Sequence, residues 1–304
     1  MTDLAAAHDD LRPLMFSIAY RMTGSVAEAE DVVQEAFLRM HQHDRSGSTI
    51  ESPEAFATTV TTRLAIDALR SARRRREQYV GPWLPEPLVD EDEPSRRIEM
   101  DETVSVAFLM VLERLSPVER AVFLLREVFG YDYAEIARVV ERTEANCRQL
   151  LARARRHLAE AQPRFEPSAE RRVELAQRFF AALQGNDLAE LERMLAEDVV
   201  FYGDGGGKAP AIRQPMYGAP AVARFLLGLY RRGAELGGRV EPAVANGEPA
   251  ARLLDADGSL LGVLTLHVAE GRIAMLGNQI NPDKLGHLGR VGDMFAMLRG
   301  TAGP

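Results

Sequence analysis

Cysteine, lysine and tryptophan are nearly missing from this 304-residue chain: it has one cysteine, two lysines and one tryptophan. A lone Cys147 excludes an internal disulfide and suits a reducing compartment. One cysteine and six scattered histidines offer no metal-ligand spacing, so neither a metal nor a cofactor is expected. No apolar run approaches the roughly 20 residues needed to span a bilayer. The first residues carry Asp3, Asp9 and Asp10 and no basic stretch, which does not read as a secretory signal. These absences lead us to expect a cytoplasmic protein with no membrane partner.

Acid exceeds base, giving a net charge of −8, and taken alone this argues against nucleic acid as a partner. The distribution argues the other way. Between Arg63 and Arg76 stand six arginines and one acid, Asp67; between Arg142 and Arg156 stand five arginines and one acid, Glu144. A single such run reads as a solvated helix face. Two runs, each closing a helical block, point to DNA. The scarcity of lysine also makes Lys208 and Lys284 informative, because a site that needs a compact ammonium does not always accept guanidinium.

Up to Arg76 the pattern is helical. Leu11, Leu14, Met15, Ile18 and Met22 recur at helical spacing, Gly24 ends that helix, and Ser25 with Glu28 starts the next. Its apolar side carries Val32, Val33, Ala36, Phe37 and Met40. After a polar loop, Ser52-Pro53 opens a third helix that runs into the arginine cluster. Residues 77–100 read as a linker rich in proline and acid, with the single tryptophan, Trp83, placed to anchor on a neighbouring domain. Residues 101–162 are helical again. Ser116-Pro117-Val118-Glu119, Asp132 with Glu135, and Thr143 each mark a helix start, and Gly130 marks a stop. A tight turn at Glu141-Arg142 before an arginine-rich helix is the helix-turn-helix pattern. Pro163 and Pro167 mark a second boundary. Beyond it, helices near 169–184 and 219–232, a strand at 199–202 and strands at 238–245, 249–255, 259–269 and 271–280 predict an α+β domain with an antiparallel meander.

The helix after the turn offers Asn146, Arg148 and Gln149 in its N-terminal half, residue types that pair with base edges. Arg153, Arg155 and Arg156 suit phosphates or the cover of a neighbouring helix.

The first block, through Glu30-Asp31-Val32-Val33-Gln34-Glu35-Ala36-Phe37, Ser52-Pro53-Glu54-Ala55-Phe56 and Arg63-Leu64-Ala65-Ile66-Asp67-Ala68-Leu69-Arg70, resembles the polymerase-binding and promoter-opening region of the extracytoplasmic-function sigma factors. The resemblance implies that Asp31, Gln34 and Glu35 contact core RNA polymerase. It implies that the loop 41–52 captures an unstacked base, and that Arg63, Arg70 and Arg73 lie on promoter DNA. Ala57 stands where many relatives have an aromatic residue, leaving Phe56 as the wedge. The second block resembles the family's upstream-element reader, with Glu141 at a turn position where glycine is common.

Three further segments extend the resemblance to the subfamily with a fused C-terminal SnoaL-like extension: Trp83-Leu84-Pro85-Glu86-Pro87, Asp204-Gly205-Gly206-Gly207-Lys208, and Asn281-Pro282-Asp283-Lys284-Leu285. The implied architecture is two all-α sigma domains, the second with a helix-turn-helix, followed by an α+β SnoaL-like cone. The boundaries are 1–76 for region 2, 77–100 for the linker, 101–162 for region 4 and 168–304 for the cone. The extension is expected to regulate the sigma part through an intramolecular contact, at an interface holding Trp83, residues 204–208 and residues 281–284, with both lysines meeting acidic groups.

Read alone, residues 204–208 resemble a mobile hairpin tip; they are not a phosphate-binding loop, because the spacing is wrong and no helix follows. Cones of this type are also isomerases and cyclases, which draws attention to Tyr202, Asp204, Asp255 and His267 as acid–base groups. His267 sits in a strand expected to expose one face, and no second titratable group is fixed by spacing, so we do not read the chain as an enzyme. The competing reading is a helix-turn-helix regulator with a small-molecule-binding domain, which leaves the first block without a task.

Overall fold

The computed structural model describes residues 4–46, 50–89, 104–159 and 168–299. The acidic stretch at 90–93, the rest of the linker to 100, and the boundary prolines 163 and 167 lie outside the described residues. The described residues form two compact units. One comprises residues up to 78, residue 104 and residues 108–159; the other comprises 79–89, 105–107 and 168–299.

In the first unit, the apolar repeat of α1 (Leu4–Thr23) buries Met15, Phe16, Ile18 and Met22. Gly24, at φ 67°, turns the chain, and Ser25 accepts a hydrogen bond from the Glu28 amide (3.2 Å) to start α2 (Val26–Arg45). Ser52 does the same for α3 (Pro53–Arg76) by accepting from Ala55 N (3.2 Å), and the three helices pack together. Ala57 is fully buried, while Phe56 lies beside the His43 ring, 4.8 Å between centroids.

The helix α4 (Val106–Leu112) precedes α5 (Pro117–Phe123), which opens on a reciprocal capping box between Ser116 and Glu119. The chain continues into a π-helical turn at Leu124–Val128, a widening that the apolar spacing did not signal. A second capping box, Asp132 with Glu135, opens α6 (Tyr133–Val140). Glu141 then takes the left-handed conformation expected of a turn glycine (φ 54°), and α7 (Glu144–Ala159) follows. Cys147, Leu150, Leu151, Ala154 and Leu158 form its buried side.

The second unit contains α8 (Ala169–Gln184), α9 (Leu188–Met194), β1 (Leu195–Asp204), β2 (Met216–Tyr217), α10 (Ala219–Glu235), β3 (Arg239–Ala245), β4 (Glu248–Leu254), β5 (Leu260–Ala269), β6 (Arg272–Gln279) and α11 (Met294–Arg299). The sheet order is β2-β1-β6-β5-β4-β3. Strands β3 to β6 form the expected meander, but β1 pairs parallel with β6, so the sheet is mixed rather than antiparallel. The reason is topological: α10 and four strands separate β1 from β6, which gives ample chain to return β6 in the direction of β1. That pairing sets Phe201 beside Leu276 and Asp204 beside Gln279. One sheet face packs on α8 and α10 through Phe179, Phe201, Val222, Leu264, Leu266 and Leu276.

The other face is also covered. Ala245, Ala250, Leu260, Val263 and Leu285 cluster there with Val89. Val89 bridges Ala245, the Leu88 carbonyl accepts from Asn246 N (2.8 Å), and Leu88 N donates to Asn246 Oδ1 (3.0 Å). Strand β5 is therefore buried on both faces, contrary to the exposed face expected around His267. A period-two pattern shows which residues share a face but not that a distant segment will cover it.

Replacing Glu141 with glycine relieves a left-handed backbone at the loss of one exposed ion pair. Stability should rise by up to about 1 kcal/mol. A lowered midpoint in urea denaturation would contradict this account of the turn.

Candidate functional site

Two arrangements of charged residues stand out. The first lies on α3, α6 and α7. On α7, Arg148 and Gln149 are exposed and Asn146 is half-buried. Thr143 Oγ1 accepts from Asn146 N (3.2 Å) and fixes the helix start. Arg148 pairs with Glu144 (2.8 Å) and lies 4.7 Å from the centre of the Tyr133 ring. Arg153 and Arg155 pair with Glu119 (3.2 Å) and Glu127 (2.8 Å). These pairs are solvent-exposed on the arginine side, so they are weak and a phosphate can displace them.

The arginines of α3 are placed differently. Arg70 is exposed and pairs with Asp67 (2.9 Å). Arg63 instead donates to the carbonyls of Arg138 (2.8 Å) and Val139 (2.9 Å) and pairs with Glu141 (3.0 Å). These carbonyls end α6, where no helical donor remains and the helix dipole is negative. Beside this contact, the Thr58 and Tyr131 hydroxyls are 2.9 Å apart. Arg73 donates to the Leu115 carbonyl and to that of Glu113 (2.9 Å). Burial lowers its pKa, opposed by the Glu113 carboxylate.

Glu113 binds Arg120 and Arg76, each at 2.6 Å, and Arg120 has no solvent access. Burial alone would raise the Glu113 carboxyl, but the two guanidinium groups outweigh it and hold the pKa below the ordinary value. Neither Glu113 nor Arg120 was singled out from sequence, because both lie among ordinary helix-surface charges. Asp31 and Gln34 are exposed on α2, beside the half-buried Glu35, which pairs with Arg39 (2.8 Å). Leu38, 50% exposed, continues that face.

The second arrangement lies within the second unit and collects the three motifs quoted above. Asp204, at the end of β1, has no solvent exposure. Its carboxylate accepts from Tyr79 Oη (2.6 Å), Leu84 N (2.8 Å), Gln279 Nε2 (3.1 Å) and Lys284 Nζ (2.7 Å). Lys284, 7% exposed, also donates to the Leu84 carbonyl (2.6 Å). Its ammonium lies 4.2 Å from the centre of the Trp83 ring and 5.0 Å from that of Tyr79. A compact ammonium between two aromatic faces, a carboxylate and a carbonyl uses what lysine has and guanidinium lacks. Burial, then the adjacent Asp204 carboxylate, pushes the Tyr79 hydroxyl pKa well above its ordinary value.

Asn281 Nδ2 donates to Tyr79 Oη (2.8 Å), and Lys208 pairs with Asp283 at the surface. The first two glycines of the run are closely packed, Gly205 buried and Gly206 half-buried. A Cβ at Gly205 would strike the Ala209 carbonyl, and one at Gly206, which sits at φ 56°, would strike the Asn281 side chain. Farther along the linker, the His287 ring approaches the Pro87 carbonyl (2.8 Å). Both lysines meet acids, but the segment enclosed is the linker. Tyr79 and Gln279 escaped the sequence reading, although each stands within four residues of a quoted motif.

The four acid–base candidates do different work. Asp204 is held by the linker, and Asp255 accepts from the amides of Asp257 (2.9 Å) and Ser259 (2.8 Å) in the β4–β5 turn. His267 Nδ1 lies 2.5 Å from Glu248 Oε1, both buried, so the tertiary structure supplies the titratable partner that spacing did not. Tyr202 is half-buried. Among the described residues no group of three or more His, Cys, Asp and Glu could hold a metal, and no helix is long and apolar enough to cross a membrane.

Family models for Sigma-70 region 2, Sigma-70 region 4 and a SnoaL-like domain match residues 8–75, 105–158 and 176–275. The chain is 40% identical to the ECF RNA polymerase sigma factor SigJ of Mycobacterium tuberculosis over 287 residues, covering 90% of each. This chain belongs to the extracytoplasmic-function sigma factors. The probable sigma factor SigI of the same species is 33% identical, over 93% of this chain and 94% of its own. The crystal structure of SigJ superposes with a TM-score of 0.76 at 36% identity, over 93% of this chain and 98% of that one. The fold of this sigma factor is thus helical sigma regions followed by an α+β domain of SnoaL-like type.

Two outcomes test the clamp around Lys284. Changing Asp204→Asn leaves a buried ammonium without its counter-charge and should cost about 3–5 kcal/mol. Because Trp83 is the only tryptophan, its emission reports the linker directly; the variant should show red-shifted emission and easier acrylamide quenching. In the intact protein, the raised Tyr79 pKa contributes stability that is full below the ordinary tyrosine value of 10.0 and falls as pH rises beyond it. A Trp83 signal that stays flat above that pH would contradict this.

Proposed function

We propose that this sigma factor directs promoter-specific initiation through two reading surfaces and is regulated in cis by its C-terminal domain. Asp31, Gln34 and Glu35 on the open face of α2 contact core RNA polymerase. Asn146, Arg148 and Gln149 read duplex base edges, with Arg153 and Arg155 on phosphates. Arg70 is available to melted DNA in this state. Arg63 and Arg73 reach DNA only after releasing the carbonyls they now bind, which makes the contact between α3 and the helix-turn-helix block part of the control. Residues 1–76, 101–162 and 168–304 serve as region 2, region 4 and the regulatory cone, acting in the cytoplasm.

One observation supports the regulatory reading: residues 79–89, the described part of the segment joining the two sigma regions, are held through Leu84 by Asp204 and Lys284. A connector packed on the cone limits the separation that regions 2 and 4 can reach, so whatever loosens the clamp alters promoter engagement. The net charge of −8 fits a factor whose DNA affinity is supplied largely by polymerase. Binding of the isolated protein to DNA should be weak and steeply salt-dependent.

The test is run-off transcription with core polymerase on the protein's own upstream region. It compares the full chain, a form ending at Pro167, a form lacking residues after Gln279, and Lys284→Met. Specific initiation is expected, and Lys284→Met should shift output in the same direction as the truncation after Gln279. A truncation effect that Lys284→Met does not share would remove the clamp from the mechanism. In the same assay Arg148→Ala should weaken promoter discrimination by about 1–3 kcal/mol. Silence from every form, with no polymerase binding, would favour a helix-turn-helix regulator.

A further inference from the structure

The inner face of the sheet, with α8 and α10, lines a partly open cavity of about 330 Å³. Its wall is apolar, with Phe201, Phe225 and Leu264 on the sheet and helix sides. Met294, Met297 and Leu298 of α11 line a further side. No residue of α11 is fully buried; Met294, Met297 and Leu298 are half-buried along the cavity, while Phe295 is exposed. Unbranched methionines can adjust to whatever fills such a space.

One buried side chain breaks the apolar lining. Asn278, 9% exposed, lines the cavity from β6, and its Oδ1 has no hydrogen-bond partner among the described residues. The other buried amide side chains of this sheet and its edges are satisfied: Asn246 accepts from Leu88, Gln279 donates to Asp204, and Asn281 accepts from Asp283. An orphan amide oxygen in an apolar hollow is costly to fold and is the pattern of a ligand-orienting group. The arginines of the lining, Arg232 and Arg239, are exposed, so no buried charge is available to match an ionic ligand.

We propose that this cavity binds a small, uncharged, apolar molecule bearing one hydroxyl group, seated with that hydroxyl on the Asn278 amide. A hydroxyl both donates and accepts, so it satisfies the amide in either orientation of its oxygen and nitrogen. An apolar cavity of about 150 Å³ accepts benzene, so a ring with a short alkyl chain, roughly a dozen non-hydrogen atoms, fits here. The next residue along β6, Gln279, faces the opposite side and binds the Leu84 carbonyl and Asp204. An occupant therefore lies one strand's thickness from the clamp.

The test is calorimetric titration of the full chain with 4-butylphenol and with its methyl ether, 4-butylanisole, which cannot donate. The phenol is expected to bind saturably at one site per chain, at least tenfold tighter than the ether. Asn278→Leu should abolish that preference, with native Trp83 emission verifying the fold. Met297→Trp, on the partly exposed α11, should weaken both compounds at least tenfold by filling the cavity. Any of three results overturns the proposal: no saturable binding of the phenol, equal affinity for the two compounds, or a preference that survives Asn278→Leu.

Discussion

The second unit depends on a carboxylate with no exposure facing an almost enclosed ammonium. Removing two charges from water costs more than their attraction returns unless every remaining hydrogen-bonding position is filled. Here they are filled from four parts of the chain. Asp204 accepts from Tyr79, Leu84, Gln279 and Lys284, and Lys284 is completed by the Leu84 carbonyl and two aromatic faces. The pair is therefore a poor source of net stability and a strong selector of one geometry. It is satisfied only when the linker, the end of β1, the end of β6 and the 281–284 turn arrive together. The tight packing of Gly205 and Gly206 follows, since any side chain there would push the loop away from Ala209 and Asn281.

The first unit uses charge in two strengths. Glu113, with Arg76 and a fully buried Arg120, resembles the Asp204 site: desolvated, multiply bonded and intolerant of losing one partner. The Arg63 contact to the end of α6 is softer, since Arg63 and Glu141 remain 43% and 71% exposed. An exposed contact to helix-terminal carbonyls gains little over water and is readily exchanged for phosphate. The same helix, α3, thus carries a fixed junction at its C-terminal end and an exchangeable one in its middle. The two junctions therefore differ in how readily solvent or another anion can replace them.

Much of the fold was legible because local rules agreed with the final structure. Ser25, Ser52, Ser116, Asp132 and Thr143 all start helices as their spacing from the first turn implied. The meander of β3 to β6 followed from period-two runs broken by turn residues. The π-helical turn at Leu124–Val128 and the parallel pairing of β1 with β6 were not legible. The first is a small change in hydrogen-bond register that leaves the apolar spacing nearly intact. The second is decided by which edge a distant strand reaches. The candidate site divides in the same way. Trp83, Asp204 and Lys284 were noticeable as rare or motif residues, whereas Tyr79 and Gln279 are ordinary until the chain folds around them.

The sequence by itself determined the order of helical and mixed blocks, the helix-turn-helix with its arginine-rich second helix, and the kinship of the chain with sigma factors. Each of these is written in spacing over a few turns of helix or in contiguous motifs. Only the tertiary structure decided that residues 84–89 of the linker are buried against the C-terminal domain, that Arg63 and Arg73 are engaged with carbonyls, and that His267 has Glu248 beside it. It also decided that Asn278 looks into a hollow while Gln279 looks out. Burial and partnership of a charge depend on residues from 19 to 200 positions away, and no local pattern records which of them will exclude the water.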